Sequence, residues 1–149
     1  MYILLVCISF LILVIDIISK RYIEMYLNYK EIIHNFLDIS YTRNYGISFN
    51  MLDGSNILII ILNILILVLL IIFYIREKHK TKLLSLSYSF ILGGLFGNLF
   101  DRIINGYVID FISFKINGFN MPIFNISDIM ITTGVVMLLI FSKGSDNGE

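Results

Sequence analysis

One cysteine, Cys7, occurs in 149 residues. An internal disulfide and any cysteine-built metal cluster are therefore excluded, and Cys7, set in an apolar run, reads as a small apolar filler. Net charge is lacking as well. Eleven basic residues balance eleven acidic ones, so no overall field argues for nucleic acid as a partner. The signatures of the commoner hydrolases are missing too. There is no H-E-x-x-H for zinc, and His34 and His79 stand isolated, expected on opposite sides of a membrane. Neither is there a G-x-S-x-G for a serine nucleophile or a histidine close to Cys7. The N-terminal apolar run lacks a basic leading segment and an A-x-A-like cleavage site, so it reads as a retained helix. No repeat, low-complexity tract or linker divides the chain, which reads as a single domain over 1–149 with a frayed tail, KGSDNGE.

What the chain does have is apolar surface. It is 58% hydrophobic, and a mean hydropathy of +0.87 is too high for an ordinary soluble domain. Charge-free apolar stretches cover 1–15, 57–75, 83–100 and 129–142. The middle two meet the length of about 20 residues that crossing a bilayer needs. The first extends to about 18 and the third to about 103, and the fourth becomes a span only if 123–128 extend it outward. The expectation is an integral membrane, mainly α protein of four transmembrane helices, at 1–18, 57–75, 83–103 and 125–142.

The connection REKHKTK, at 76–82, holds four basic residues in seven and is placed in the cytoplasm by the positive-inside rule, which sets both termini there. The segments 20–56 and 104–124 then lie outside. In the first, ISYTRNYGISF reads as strand and turn. In the second, Val108, Asp110, Ile112 and Phe114 alternate with Ile109, Phe111 and Ser113, and Asn117-Gly118 supplies a hairpin turn. A small β-rich layer is therefore expected on the outer face.

With that topology Asp16 ends helix one, Asp101 ends helix three, Asp110 follows, and Asp128 opens helix four. All four acids converge on one membrane face. One acid at a helix end reads as merely interfacial, and Asp128, three residues after Asn125, could serve only to start a helix. Four together, with Asn98, Arg102 and Asn125 beside them, read as a site, because ionisable groups at membrane depth are costly. Asp16 precedes Lys20 by four, the favourable orientation for a helical ion pair. Ser85, Ser89, Gly93, Gly97 and Asp101 form a stripe of mostly small residues that allows close helix packing.

With metal, serine and cysteine chemistry set aside, two carboxylates are the plausible reactive pair. Close carboxyl groups share a proton, so one can draw a proton from water while the other donates to a scissile carbonyl. The residues alone leave open which two. A four-span carrier or channel component using the acids as a relay is the rival; it expects polar residues through the whole membrane thickness, where helix two offers only Asn63 and helix four Thr132 and Thr133.

DIISK (16–20), RNYGISF (43–49), GGLFGNLFDR (93–102), GYVIDF (106–111) and FNISD (124–128) occur in this order over nearly the whole chain, which thereby resembles the lipoprotein signal peptidases, or signal peptidase II. The resemblance implies a bacterial, multi-pass aspartyl peptidase of the cytoplasmic membrane that cleaves prolipoproteins before a diacylglyceryl-modified cysteine at the outer face. Its catalytic dyad would be Asp110 and Asp128. Asn44, Gly46, Asn98, Arg102 and Asn125 would line or brace the site, and Asp16, Lys20 and Asp101 would support it. The implied partners are diacylglyceryl-modified prolipoproteins and membrane lipid, the protein acting as a monomer without metal or organic cofactor. Two departures from the family's usual alanines stand out: Ile47-Ser48 after Gly46, and Ser127, whose hydroxyl is expected to hydrogen-bond beside Asp128.

Overall fold

Helix α1 spans Tyr2–Tyr26, followed by strands β1 (Tyr29–Ile33) and β2 (Leu37–Asn44) and helices α2 (Asn56–Arg76) and α3 (Lys82–Asn105). Strands β3 (Val108–Ile116) and β4 (Phe119–Asn120) then lead into helix α4 (Ile126–Ser142). These elements come from a computed structural model that describes residues 1–46, 54–116 and 119–142. The expected Asn117-Gly118 turn, Ile47-Ser48 and the KGSDNGE tail lie outside the described residues.

α3 is the central helix, packed on α1, α4 and α2. Its small side chains make that possible: Ser85, Ser87 and Ser89 are fully buried, their hydroxyls returned to Thr81 O, Leu83 O and Ser85 O of the same turn of chain. Ser9 Oγ of α1 reaches across to Ser89 O at 3.1 Å. The other helices turn apolar side chains outward, among them Ile3, Phe10, Ile57 and Leu139. Three helices, α1, α2 and α3, are long and apolar enough to cross a membrane.

The fourth apolar helix starts one residue later than the expected 125–142. α4 has 17 residues, about 25 Å of helix; of the segment 123–128 expected to extend it outward, 126–128 are helical and 123–125 are not. Phe124 instead makes a β-bridge to Ile112, with Phe111 and Ile112 N–H both donating to Phe124 O at 2.8 Å. α1 differs in the other direction. It does not end at Asp16 but continues ten residues to Tyr26, since IISKRYIEMY is composed mostly of residues compatible with a helix and nothing in it breaks one. Lys20 and Arg21 therefore stand on the helix rather than after it. Asp101 likewise lies a turn before the end of α3, which stops at Gly106, a left-handed residue (φ +81°) whose N–H caps Arg102 O.

At one end of the bundle β1, β2 and β3 pair antiparallel, with the two-residue β4 added beyond β3. β1 was not foreseen; every residue of YKEII is exposed, and only pairing to β2 makes it a strand. The alternation in β3 positions the site. Ile109 and Phe111 bury against Ile23 of α1. Asp110, one residue between them, is consequently on the other face, on a cleft of about 790 Å³ that also takes in α2, α3 and α4.

Candidate active site

Asp110 is 3% exposed on β3, and both of its oxygens accept hydrogen bonds. Asn125 Nδ2 donates to Oδ1 at 2.7 Å, and Asn44 Nδ2, from the end of β2, donates to Oδ2 at 2.8 Å. Asp128 is held as fully: Asn98 Nδ2 donates to Oδ1 at 2.8 Å and Asn125 N to Oδ2 at 3.2 Å. Asn125 is the piece common to both. Its side-chain oxygen accepts from Asp128 N at 2.9 Å, so Asn125 and Asp128 close a reciprocal capping box at the start of α4. The helix-starting role and the site role of Asp128 are thus one arrangement. The remaining amide contact, Asn125 Nδ2 to Asn98 Oδ1 at 3.1 Å, leaves no polar atom of Asn125 unused.

Behind the two aspartates is an ionic layer. Lys20 is 1% exposed, with Nζ 2.7 Å from Asp16 Oδ2, 3.0 Å from Asp101 Oδ2 and 3.1 Å from Asn98 Oδ1. The expected Asp16–Lys20 pair is present, and it is not confined to its own helix. Asp16 Oδ1 accepts from Ser127 N at 2.8 Å, and Asp101 Oδ2 accepts from Ile109 N at 3.2 Å. Each supporting carboxylate therefore grips the peptide N–H of the residue just before a site aspartate. Both grips meet at one ammonium group.

Gly97 makes this closeness possible. A β-carbon there would lie 2.6 Å from Asp16 Oδ2 and press against Ser127 Oγ, so the glycine is more than a packing residue. Ser127 differs from expectation. Its side chain is fully buried and its hydroxyl finds no partner among the described residues. One residue before Asp128 is a rotation of about 100° around the helix, which turns Ser127 toward Gly97 and Asp16 and away from the other aspartate.

Arg102 also departs from simple charge pairing. No ion pair joins it to an acid among the described residues; its Nη2 donates to Gly46 O at 2.6 Å, and Gly46 N in turn donates to Asn44 Oδ1 at 3.0 Å. Arg102 thereby fixes the chain carrying Asn44, which fixes Asp110. Its Nη1 is buried, without a partner among the described residues, on the lining of the cleft. All ten residues singled out in the sequence meet at this one place. Asn105 was missed: it follows Asp101 by four, donates to Asp101 Oδ1 at 3.2 Å and accepts from Arg21 at 3.2 Å.

The electrostatics suit two carboxyl groups sharing a proton. Burial first, then the charge of Asp128, push the Asp110 carboxyl up to about 7, against the opposing pull of the Asn44 and Asn125 donors and of Lys20. The four supporting ions, Asp16, Lys20, Asp101 and Arg102, sum to zero, so they add no net charge behind the pair.

The family model described as signal peptidase (SPase) II matches residues 8–143. The chain belongs to the signal peptidase II family. It is 43% identical over 139 residues to the lipoprotein signal peptidase of Wigglesworthia glossinidia brevipalpis, covering 89% of this chain and 88% of that protein. With that of Staphylococcus haemolyticus it shares 37% identity over 132 residues, 87% of this chain and 84% of the other. A solved bacterial membrane enzyme superposes with a TM-score of 0.87 at 31% identity, over 97% of this chain and 91% of that one. The protein is thus a protease that removes signal peptides from prolipoproteins, and a multi-pass membrane protein. The carrier reading finds no support: the buried serines of α3 bond to their own helix or accept from Tyr74 and Ser9 rather than forming a relay across it.

Proposed function

We propose that Asp110 and Asp128 are the catalytic dyad and that the bond cut precedes a diacylglyceryl-modified cysteine. The observation that carries this reading is the shared Asn125, which holds a buried carboxylate of β3 and the capping carboxylate of α4 on one cleft. One aspartate, ionised, draws a proton from water as the water oxygen attacks the scissile carbonyl carbon. The other, protonated, gives its proton to the carbonyl oxygen. The tetrahedral centre then collapses, the C–N bond breaks, and the departing nitrogen takes up a proton from the pair. Asn98, Asn125 and Asn44 fix the carboxylates, and Arg102 fixes Asn44.

The sheet end of the bundle is assigned to the outer face of a bacterial cytoplasmic membrane, with both termini in the cytoplasm. The loop joining α2 to α3 at the opposite end, rich in lysine and arginine, supports that orientation. Two acyl chains, at about 0.8 kcal/mol per buried CH₂, would keep a substrate cysteine at the interface, level with the dyad. Monomeric action in contact with membrane lipid is part of the same reading.

Two assays test it. A diacylated prolipoprotein should be cleaved by the purified protein in a bilayer mimetic, and the same polypeptide without the diacylglyceryl group should lose most of its rate; equal rates would remove the lipid from the recognition. The second assay is the pH profile of kcat/KM. The dyad works with one proton, so the rate should fall on the alkaline side with a midpoint near the Asp110 value of about 7. Asn44→Ala removes a donor that favours the ionised carboxyl, so the Asp110 pKa rises and the alkaline limb should move to higher pH. A parental profile flat from about pH 6 to 9 would count against a proton-sharing pair.

A further inference from the structure

Between Ile57 and Phe73, Asn63 is the only side chain of α2 able to make a hydrogen bond. It is nine-tenths buried, and its Oδ1 has no partner among the described residues. Asn63 nevertheless lines the same cleft as Asp110 and Asp128. Thr132 lines it from α4, exposed, one turn further along the helix than Asp128. Counted from the sheet end, Asn63 is seven residues into α2 and Thr132 six into α4, about 10 Å and 9 Å along the two axes. They stand at nearly one depth, among Ile59, Leu62, Ile66, Leu95 and Ile131, which can make no side-chain hydrogen bonds.

An amide without a partner in so apolar a wall is unfavourable while the cleft is empty. Whatever relieves it must offer both a donor and an acceptor, because the amide carries an acceptor oxygen and an NH₂ with two donor hydrogens. A diacylglyceryl group offers ester oxygens only and would leave Oδ1 unbonded. A peptide in extended form presents N–H and C=O along one edge. Resting on the peptidase reading above, the substrate has the matching need: a peptide bond inside an intact helix is shielded, so the chain next to the scissile bond must unwind, and its freed backbone groups then lack partners in a lipid-level cleft.

We propose that Asn63 and Thr132 form a backbone-binding subsite one turn below the dyad, which pairs with the extended signal-peptide residues preceding the scissile bond. The pairing reads backbone rather than side chains, so it positions many different signal peptides in one register. Asn63 and Thr132 are positioning residues and take no part in the proton transfers.

The test uses the full chain in a bilayer mimetic with a diacylated prolipoprotein. Cleavage by the parent and its loss in Asp110→Asn establish the peptidase reading; without them that reading fails, independently of the subsite. Asn63→Leu and Thr132→Val should each raise KM about five- to tenfold, the worth of one hydrogen bond, with kcat within about twofold. Asn63→Leu should melt no lower than the parent, because an unpartnered buried amide is removed, and Asn63→Gln should recover part of the KM. Substrates in which single backbone N–H groups before the scissile bond are replaced by ester oxygen should lose the same factor with the parent at one position, and lose nothing further with Asn63→Leu. An unchanged KM in both variants overturns the proposal, as does a lower melting temperature with unchanged KM. A KM loss reproduced by replacing the glyceryl esters with ethers, and not by the backbone esters, assigns the amide to the lipid and overturns it too.

Discussion

Asp110→Asn and Asp128→Asn are each expected to lower kcat for prolipoprotein cleavage by about 10² to 10⁴-fold, the range that proton transfer by a positioned side chain supplies. The two act as a unit, so the double variant should be little worse than either single one. Stability moves by less, because two effects oppose. Loss of a buried negative charge favours the folded state at Asp110, whose carboxyl already resists ionising. Against this, every oxygen of the pair accepts from an N–H donor, so an introduced amide sets donor against donor at one of them. Asn125 cannot turn to relieve this without giving up Asp128 N–H and Asn98. If either variant folds and cleaves at the parental rate, the dyad assignment is wrong.

The largest expected loss of stability is at Lys20. Lys20→Met leaves Asp16 and Asp101 buried together without their common counter-ion. Breaking a buried ion pair from one side costs about 3–5 kcal/mol, which would lower the melting temperature by roughly 10 °C. Adding Asp16→Asn should restore part of that stability, since one of the two unbalanced charges is then gone, and a double-mutant cycle measures how much. Activity should not return with it, because the hydrogen bond from Lys20 to Asn98 and the alignment it gives Asp128 are still missing. A Lys20→Met protein as stable as the parent would show that the ionic layer is not what holds α1, α3 and α4 in register.

The site was more legible in the sequence than the elements that carry it. Hydropathy locates helices only where lipid dictates them, which is why α1 was cut at Asp16: the turns from Lys20 to Tyr26 are helical by propensity and by packing on β3, and no apolar run marks them. The start of α4 was drawn within one residue, while Phe124 just before it is apolar but paired to β3. β1 has no amphipathic pattern, because no face of it is buried. Spacing did better where contact is local, as for Asp16 with Lys20 or Asn125 with Asp128. What spacing could not show was that Asp16 and Asp101 act on Ser127 N–H and Ile109 N–H, because those partners are backbone groups, the same in every residue. The same limit explains Ser127, whose hydroxyl was assigned to the nearer aspartate in sequence and lies toward the other in space.

The convergence of both grips on Lys20 also bears on how the enzyme comes into being. Among these helices α1 is synthesised first and α4 last, and the chain between them carries β2, β3 and α3. The layer behind the two aspartates is complete only once Asp16 of α1, paired to Lys20, has met the Ser127 N–H of α4. On the dyad proposed above, a growing chain has no proteolytic competence until its final helix, which carries Asp128, has joined the others.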